Sequence, residues 1–374
     1  MNTFLKHCRS LLNKKVTKTV IIGNESCDLD SAVCCLSLAF YLWKYPNLIT
    51  RIPYVENVLP VLNVPREELV LKTEVVYYLK SNQINTEDLI CRDEVNLENN
   101  VDNSIKFILV DHHITGPNRE IIATVDHRPV DPRAQFEQNT FKFIELVGSC
   151  SSLVTKLIYD SENVDRDDNE HSTPLKLLYG AIILDTVNFS EAADKARALD
   201  HDMAKFIESF LKISNVPDYR DNLFKTLVDQ RSAISGLDTY QILLKDLKLL
   251  SRNGRTVAIP GYPMLVQEYI KLQNSESNII KFAGNTSSNV VVLMGMKVNN
   301  VDGSMRRDLG IINIDDSKLA EMIISKILTN ECPSFQVSTL DCMFLNGTFL
   351  EQNNIKASRK QLLPLINECL DTAR

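Results

Sequence analysis

Along the first half of the chain one pattern recurs: a short apolar, β-branched run stops, and an acidic residue follows within a few positions. Val20-Ile21-Ile22 leads into Gly23-Asn24-Glu25-Ser26-Cys27-Asp28-Leu29-Asp30. Phe107-Ile108-Leu109-Val110 leads into Asp111-His112-His113, Ile121-Ile122-Ala123-Thr124-Val125 into Asp126-His127-Arg128, and Ala181-Ile182-Ile183-Leu184 into Asp185. Continuous apolar runs of this length predict strands buried on both faces, as in a parallel sheet. Helical periodicity fills the spaces at 31–44, 66–81, 136–160 and 172–180. Strand alternating with helix predicts an α/β fold. Ligands of such folds bind beyond the carboxyl ends of the strands, so the four Asp-bearing segments are expected to converge on one crevice.

The polar stretch 161–172 reads as a surface loop. From 190 to 232 the pattern is helical and charged, with a break near 215–217, which predicts a connector followed by a new helix. Beyond it the texture changes. Asn253-Gly254 is a hairpin turn signal; 255–259, 290–297 and 309–314 read as strands, and 238–250, 262–273, 316–328 and 359–372 as helices. This predicts a second, smaller α/β domain with a mixed sheet. The expected division is 1–200, a linker at 201–220, and 221–374.

The length of 374 residues agrees with two domains. Lys and Arg number 41 against 48 Asp and Glu, a net charge of −7, which disfavours broad binding to nucleic acid or anionic membranes. The longest nearly apolar stretch, 32–43, is too short to span a bilayer. Nine scattered cysteines without a C-x-x-C pair fit a reducing, cytoplasmic setting better than a disulfide framework. The basic N-terminus, with Lys6, Arg9, Lys14, Lys15 and Lys18 ahead of the first acid, has the charge of a mitochondrial leader. The expected reading is instead an amphipathic helix with Phe4, Leu5, Cys8, Leu11 and Leu12 on one face.

A single Asp after a strand commonly does no more than cap the next helix. Four such sites together with His112, His113 and His127 point further. Asp28 and Asp30 can face one cation, and Asp111 and Asp185 add two carboxylates. So many like charges in one crevice repel unless cations neutralise them. Hard oxygen ligands favour Mg²⁺ or Mn²⁺, and carboxylate, imidazole and divalent metal together point to metal-assisted hydrolysis of a phosphate compound.

In order, these segments resemble the motifs of the DHH phosphoesterase superfamily. The second half resembles its DHHA2-type domain through Ser235-Gly236-Leu237-Asp238, Leu244-Lys245-Asp246-Leu247-Lys248 and Ser358-Arg359-Lys360-Gln361-Leu362-Leu363-Pro364. Gly23-Asn24-Glu25-Ser26-Cys27-Asp28-Leu29-Asp30-Ser31 and Asp126-His127-Arg128-Pro129 are similar to the Prune and exopolyphosphatase branch, where family II pyrophosphatases carry His at the positions of Asn24 and Arg128. The resemblance implies a DHH domain, a DHHA2 domain and an active site in the cleft between them. It implies Asp28, Asp30, Asp111, His127 and Asp185 as ligands of two Mg²⁺ or Mn²⁺ ions. Asp111, His112 and Arg128 take catalytic roles. Asn24, His113, Arg128, Lys248, Arg359 and Lys360 are the expected substrate contacts. The implied activity is release of terminal phosphate from short inorganic polyphosphate. Cyclic-nucleotide phosphodiesterase, inorganic pyrophosphatase and a weakly catalytic interaction protein are the alternatives. A nucleoside diphosphate kinase partner is implied by resemblance alone. The sequence ends soon after Arg359-Lys360, so the C-terminal extension of vertebrate members is not expected.

Overall fold

The computed structural model describes residues 1–47, 52, 55–97, 105–114, 119–134, 136–161, 169–298, 304–331 and 334–372. Its first five strands all run parallel. They are β1 (Lys18–Ile22), β2 (Val58–Val61), β3 (Ile105–Val110), β4 (Glu120–Asp126) and β5 (Phe141–Ile144), paired in the order β2-β1-β3-β4-β5. Val20, Ile21, Ile22, Phe107, Ile108, Leu109 and Val110 are all buried. Successive strand residues point to opposite faces, so both faces of the sheet are covered, as the unbroken apolar runs predict. The chain moves outward from β1 to β2 and then returns past β1 to β3. Strand order therefore reverses between β1 and β3, the place where an open parallel sheet forms its ligand crevice.

Seven helices accompany this sheet among the described residues: α1 (Asn2–Leu11), α2 (Leu29–Lys44), α3 (Thr73–Ser81), α4 (Cys150–Asp160), α5 (Ser172–Asp185), α6 (Ala198–Phe210) and α7 (Val216–Ser232). On α1, Phe4, Leu5, Cys8 and Leu11 are buried, as the amphipathic pattern requires. Helix α2 is buried from Leu29 to Leu42 and packs against β1, β2, β3, α4 and α5.

Several expectations are corrected. The run Ala181–Leu184 lies in α5, not in a strand. All four residues are buried, and a helix buried all round carries the same unbroken apolar text as a strand buried on both faces. Asp185 therefore arrives from the C-terminal end of a helix. The segment 136–160 divides into β5 and α4. The stretch 66–81 is a 3-10 turn followed by α3. Of the expected loop 161–172, residues 162–168 lie outside the described residues. The chain divides after Ser232 rather than between 201 and 220. Residues 201–220 fall largely in α6 and α7, and Met203, Ala204 and Ile207 join the core of the first unit.

The second unit, Ala233–Arg374, carries a six-stranded sheet. Its strands are β6 (Leu247–Arg252), β7 (Arg255–Tyr262), β8 (Val290–Val298), β9 (Met305–Asn313), β10 (Val337–Leu340) and β11 (Gly347–Gln352), in the order β10-β11-β9-β8-β7-β6. Only β7 and β8 pair in parallel, so the sheet is mixed as expected. Its helices are α8 (Thr239–Lys245), α9 (Val266–Tyr269), α10 (Ser275–Asn285), α11 (Ser317–Thr329) and α12 (Arg359–Thr372). One apolar cluster uses α11 and α12, and another uses α8, α9 and α10. Asn253 and Gly254 both have positive φ, 53° and 74°, and form the β6–β7 hairpin turn. The expected helix 238–250 stops at Lys245 and continues as β6. That edge strand is half exposed, so it lacks the continuous apolar signature. Strands β10 and β11 were not expected; β10 is short and shows no buried residue. No helix among the described residues is long and apolar enough to cross a membrane.

Candidate active site

The turn after β1 is built around Asn24 and Ser31. Asn24 N–H donates to Ser31 Oγ at 2.7 Å. A Cβ on Gly23 would lie 2.1 Å from that oxygen, so only glycine allows the approach. Asn24 Oδ1 accepts from Ser26 N–H and Ser26 Oγ (2.9 and 2.6 Å). A backbone N–H can only donate, so the amide NH₂ points the other way, and it donates to Asp111 Oδ2 at 2.6 Å. Asp28 caps α2, accepting from Ser31 N–H at 3.2 Å. The capping role and a place in the crevice thus coexist in one residue.

Asp30 is buried and anchors a second helix. Its Oδ1 accepts from Ser149 Oγ, Ser151 N–H and Ser151 Oγ (2.8, 2.9 and 2.6 Å), and its Oδ2 from Cys150 N–H (2.7 Å). These are groups at the N-terminus of α4, where a negative charge is favoured. A buried carboxylate on the other side, Asp200, accepts from Gly148 N–H, Ser149 N–H and Ser152 Oγ (2.7, 3.3 and 2.5 Å) and from Arg197 N–H (2.8 Å). The first turn of α4 is clamped between two acids.

Asp111 follows β3 with φ of +59°, a left-handed conformation that Asp and Asn tolerate better than most residues. Its N–H still bonds Val125 O at 2.9 Å, so the β3–β4 ladder fixes it. His127 Nδ1 lies 3.0 Å from Val147 O and donates to it, which turns Nε2 toward Asp111. That Nε2 stands 3.3 Å from Asp111 Oδ1. Arg128 Nη1 donates to Asp111 O at 2.6 Å, and Nη2 lies 3.0 Å from Asp111 Oδ1. Asp185 ends α5, and the three residues Val187, Asn188 and Phe189 behind it all have positive φ (53°, 52° and 60°). For the β-branched Val187 this is a strained conformation.

These residues line one cavity of about 370 Å³ within the first unit: Asp28, Asp30, Asp111, His127, Arg128 and Asp185, with Val147, Gly148, Asp194, Lys195 and Arg197. Asp30, Asp111 and His127 each offer a ligand atom, all within 4.8 Å of one another. Among the described residues, Asp185 Oδ2 is buried without a hydrogen bond, and Asp111 Oδ1 is buried with only the charged Arg128 Nη2 and His127 Nε2 beside it. Burial pushes the Asp111 carboxyl up to about 7, with the Asp30 and Asp28 charges adding to the rise against the opposing His127. Asp185 is raised well above the carboxylate range by burial and by the same two charges. Burial alone would lower His127, but the Asp111 hydrogen bond and the Asp30 charge outweigh it and bring the imidazole to about 9. Clustered buried acids beside an imidazole are the donor set of a hard divalent cation.

His113 and His112 do not line this cavity. His113 is buried against Asp126: Nδ1 bonds Asp126 Oδ2, and Nε2 accepts from Asp131 N–H at 2.8 Å. Both ring nitrogens are engaged, so His113 does not line the cavity. His112 directs Nδ1 to Val110 O at 3.0 Å, also off the cavity wall, and burial lowers its pKa. In the second unit Arg359 donates to Asp246 O and Asp246 Oδ1, both at 2.7 Å, beside Gly261. Lys248 and Lys360 are exposed. Asp194, Lys195, Arg197 and Asp200 are missed by the sequence reading; Asp126 was named there as the acid closing an apolar run, without a site role.

Residues 18–182 match the DHH family N-terminal domain and 225–369 the DHHA2 domain. The chain is 32% identical over 378 residues to exopolyphosphatase PRUNE1 of Homo sapiens, covering 99% of this chain and 79% of the relative. It belongs to the Prune exopolyphosphatase family. Exopolyphosphatase PRUNE1 of Mus musculus is 32% identical over 380 residues, with coverage of 99% and 79%. Outside the Prune name, a manganese-dependent inorganic pyrophosphatase of Methanocaldococcus jannaschii is 26% identical over 249 residues, 64% of this chain and 69% of that protein.

Proposed function

We propose that the chain is a divalent-metal-dependent phosphohydrolase that releases terminal phosphate from short inorganic polyphosphate. The observation that carries this reading is the cluster of buried carboxylates, Asp30, Asp111 and Asp185, beside the His127 imidazole in the crevice at the strand switch point of a Prune-family chain. Asp28, Asp30, Asp111, His127 and Asp185 would hold the cations. Bound there, such cations supply positive charge to phosphate oxygens and lower the pKa of water.

The chain's own groups do the rest. The β3–β4 ladder, Asn24 and Arg128 hold Asp111 in one orientation. The Val147 carbonyl keeps the His127 proton on Nδ1. The Arg128 side chain is 45% exposed, and its remaining N–H groups can take a phosphate oxygen. Lys248, Arg359 and Lys360 are proposed as further partners for the substrate's charge. The test is phosphate release from tri- and tetrapolyphosphate, pyrophosphate and cyclic AMP in parallel. Release from the short polyphosphates is expected; cleavage of cyclic AMP alone would move the reading to a phosphodiesterase.

Asn24 bears on metal choice. Its oxygen is occupied by Ser26 and its NH₂ by Asp111, so it adds no ligand where an imidazole would favour a transition metal. Mg²⁺ and Mn²⁺ are expected to support turnover within about tenfold of each other. Isothermal titration showing Mn²⁺ bound orders of magnitude tighter than Mg²⁺ would contradict this.

The raised Asp111 pKa has a defined pH consequence. An acid raised from its unfolded range to about 7 stabilises the fold fully below its unfolded pKa, and loses that contribution as pH rises through 7. His127, raised to about 9, acts in the same direction at higher pH. The metal-free protein is therefore expected to melt at least about 5 °C lower at pH 8 than at pH 6. Saturating Mg²⁺ competes with the protons and should raise Tm more at pH 8 than at pH 6. Differential scanning fluorimetry checks both signs.

A further inference from the structure

Three Lys or Arg side chains line the cavity among the described residues, and two of them are committed. Arg128 is held by Asp111. Arg197 Nη1 donates to the carbonyls of Asp194 and Ala196 at 3.0 and 2.8 Å and lies 3.4 Å from Asp194 Oδ1. The Lys195 ammonium has no hydrogen bond or ion pair among the described residues, and the residue is exposed.

Its backbone, in contrast, is fixed. Arg197 N–H and Gly148 N–H donate to the same oxygen, Asp200 Oδ2, at 2.8 and 2.7 Å. A Cβ at Gly148 would lie 2.9 Å from that oxygen and from Thr186 Cγ2, and 3.1 Å from the Lys195 carbonyl oxygen. Gly148 thus lets the Lys195 segment dock directly on the cavity wall, and the buried Asp200 locks the two together. The result is an exposed ammonium on an anchored backbone, lining a cavity whose other polar groups are chiefly carboxylates.

We propose that Lys195 is a substrate contact that binds a non-reacting phosphate of polyphosphate and favours longer chains over pyrophosphate. This rests on the hydrolase reading above. Asp30, Asp111 and His127 form the tight ligand cluster, and Lys195 lies outside it. Its charge therefore meets a phosphate other than the one held by the cluster. An ammonium on a flexible stem acts as a point charge and suits a phosphate of variable position.

The experiment measures binding, so it does not depend on turnover. Methylene-bridged analogues of tripolyphosphate and of pyrophosphate, which resist hydrolysis, are titrated into the full chain with Mg²⁺. Lys195→Gln is expected to weaken the tripolyphosphate analogue about tenfold, the low end for one charge-assisted hydrogen bond, and the pyrophosphate analogue by less than about threefold. Lys195→Arg, which keeps the charge, should restore the longer analogue to within about threefold of wild type. Unchanged binding by Lys195→Gln, or an equal loss on both analogues, overturns the proposal. A wild-type protein that binds the analogues but hydrolyses no polyphosphate overturns the hydrolase reading instead, and leaves the Lys195 comparison standing.

Discussion

Asp111→Asn is expected to cut turnover by on the order of 10³-fold or more, because the cations that the proposed reading assigns to it would supply several kcal/mol of charge stabilisation. The same substitution should leave the metal-free protein as stable as wild type or more so. Asn is tolerated at the positive φ of this position, where Ala is not. It also removes a buried acid whose pKa is pushed up to about 7 by burial and by neighbouring carboxylates, and such an acid opposes folding once ionised. Loss of activity with retained or increased Tm is the signature of a site built for a ligand at the expense of stability. Steady-state kinetics and a melting curve of the same preparation test it. A variant that is both inactive and strongly destabilised would mean that Asp111 serves the fold.

Asp200→Ala should do the reverse. Asp200 is fully buried and accepts from Gly148, Ser149, Ser152 and Arg197. Truncation leaves four donors without an acceptor, at a cost of ~3–5 kcal/mol, or a fall in Tm of about 10 °C. Asn, which keeps one oxygen, should recover part of that loss. Urea denaturation followed by circular dichroism measures the difference. A cost below about 1 kcal/mol would show that the α4 turn is held by other contacts.

Strands β1, β3 and β4 and the acids at their ends were legible because a parallel sheet buried on both faces writes unbroken apolar runs, and the chemistry sits where those runs stop. Asp28, Asp30, Asp111 and His127 followed from that rule, Arg128 from the family resemblance, and all five meet in one cavity. The same rule misread 181–184, since a fully buried helix writes the same text. Asp185 was nevertheless found at the right place, because both elements end at the crevice. His113 was indistinguishable from His127 in sequence; only the fold shows one imidazole tied up between Asp126 and the Asp131 N–H, and the other turning Nε2 toward Asp111 in the cavity. Asp200 and Lys195 left no trace, because their roles depend on contacts with a segment about fifty residues earlier.

The most direct measurement is phosphate release from tripolyphosphate by wild type and by Asp111→Asn, each with Mg²⁺ and with excess chelator. Rapid release by the wild type with Mg²⁺ alone, lost with chelator and in the variant, is the predicted result. Wild-type release that persists in chelator, or turnover of the variant equal to wild type, would contradict a metal-dependent hydrolase centred on Asp111.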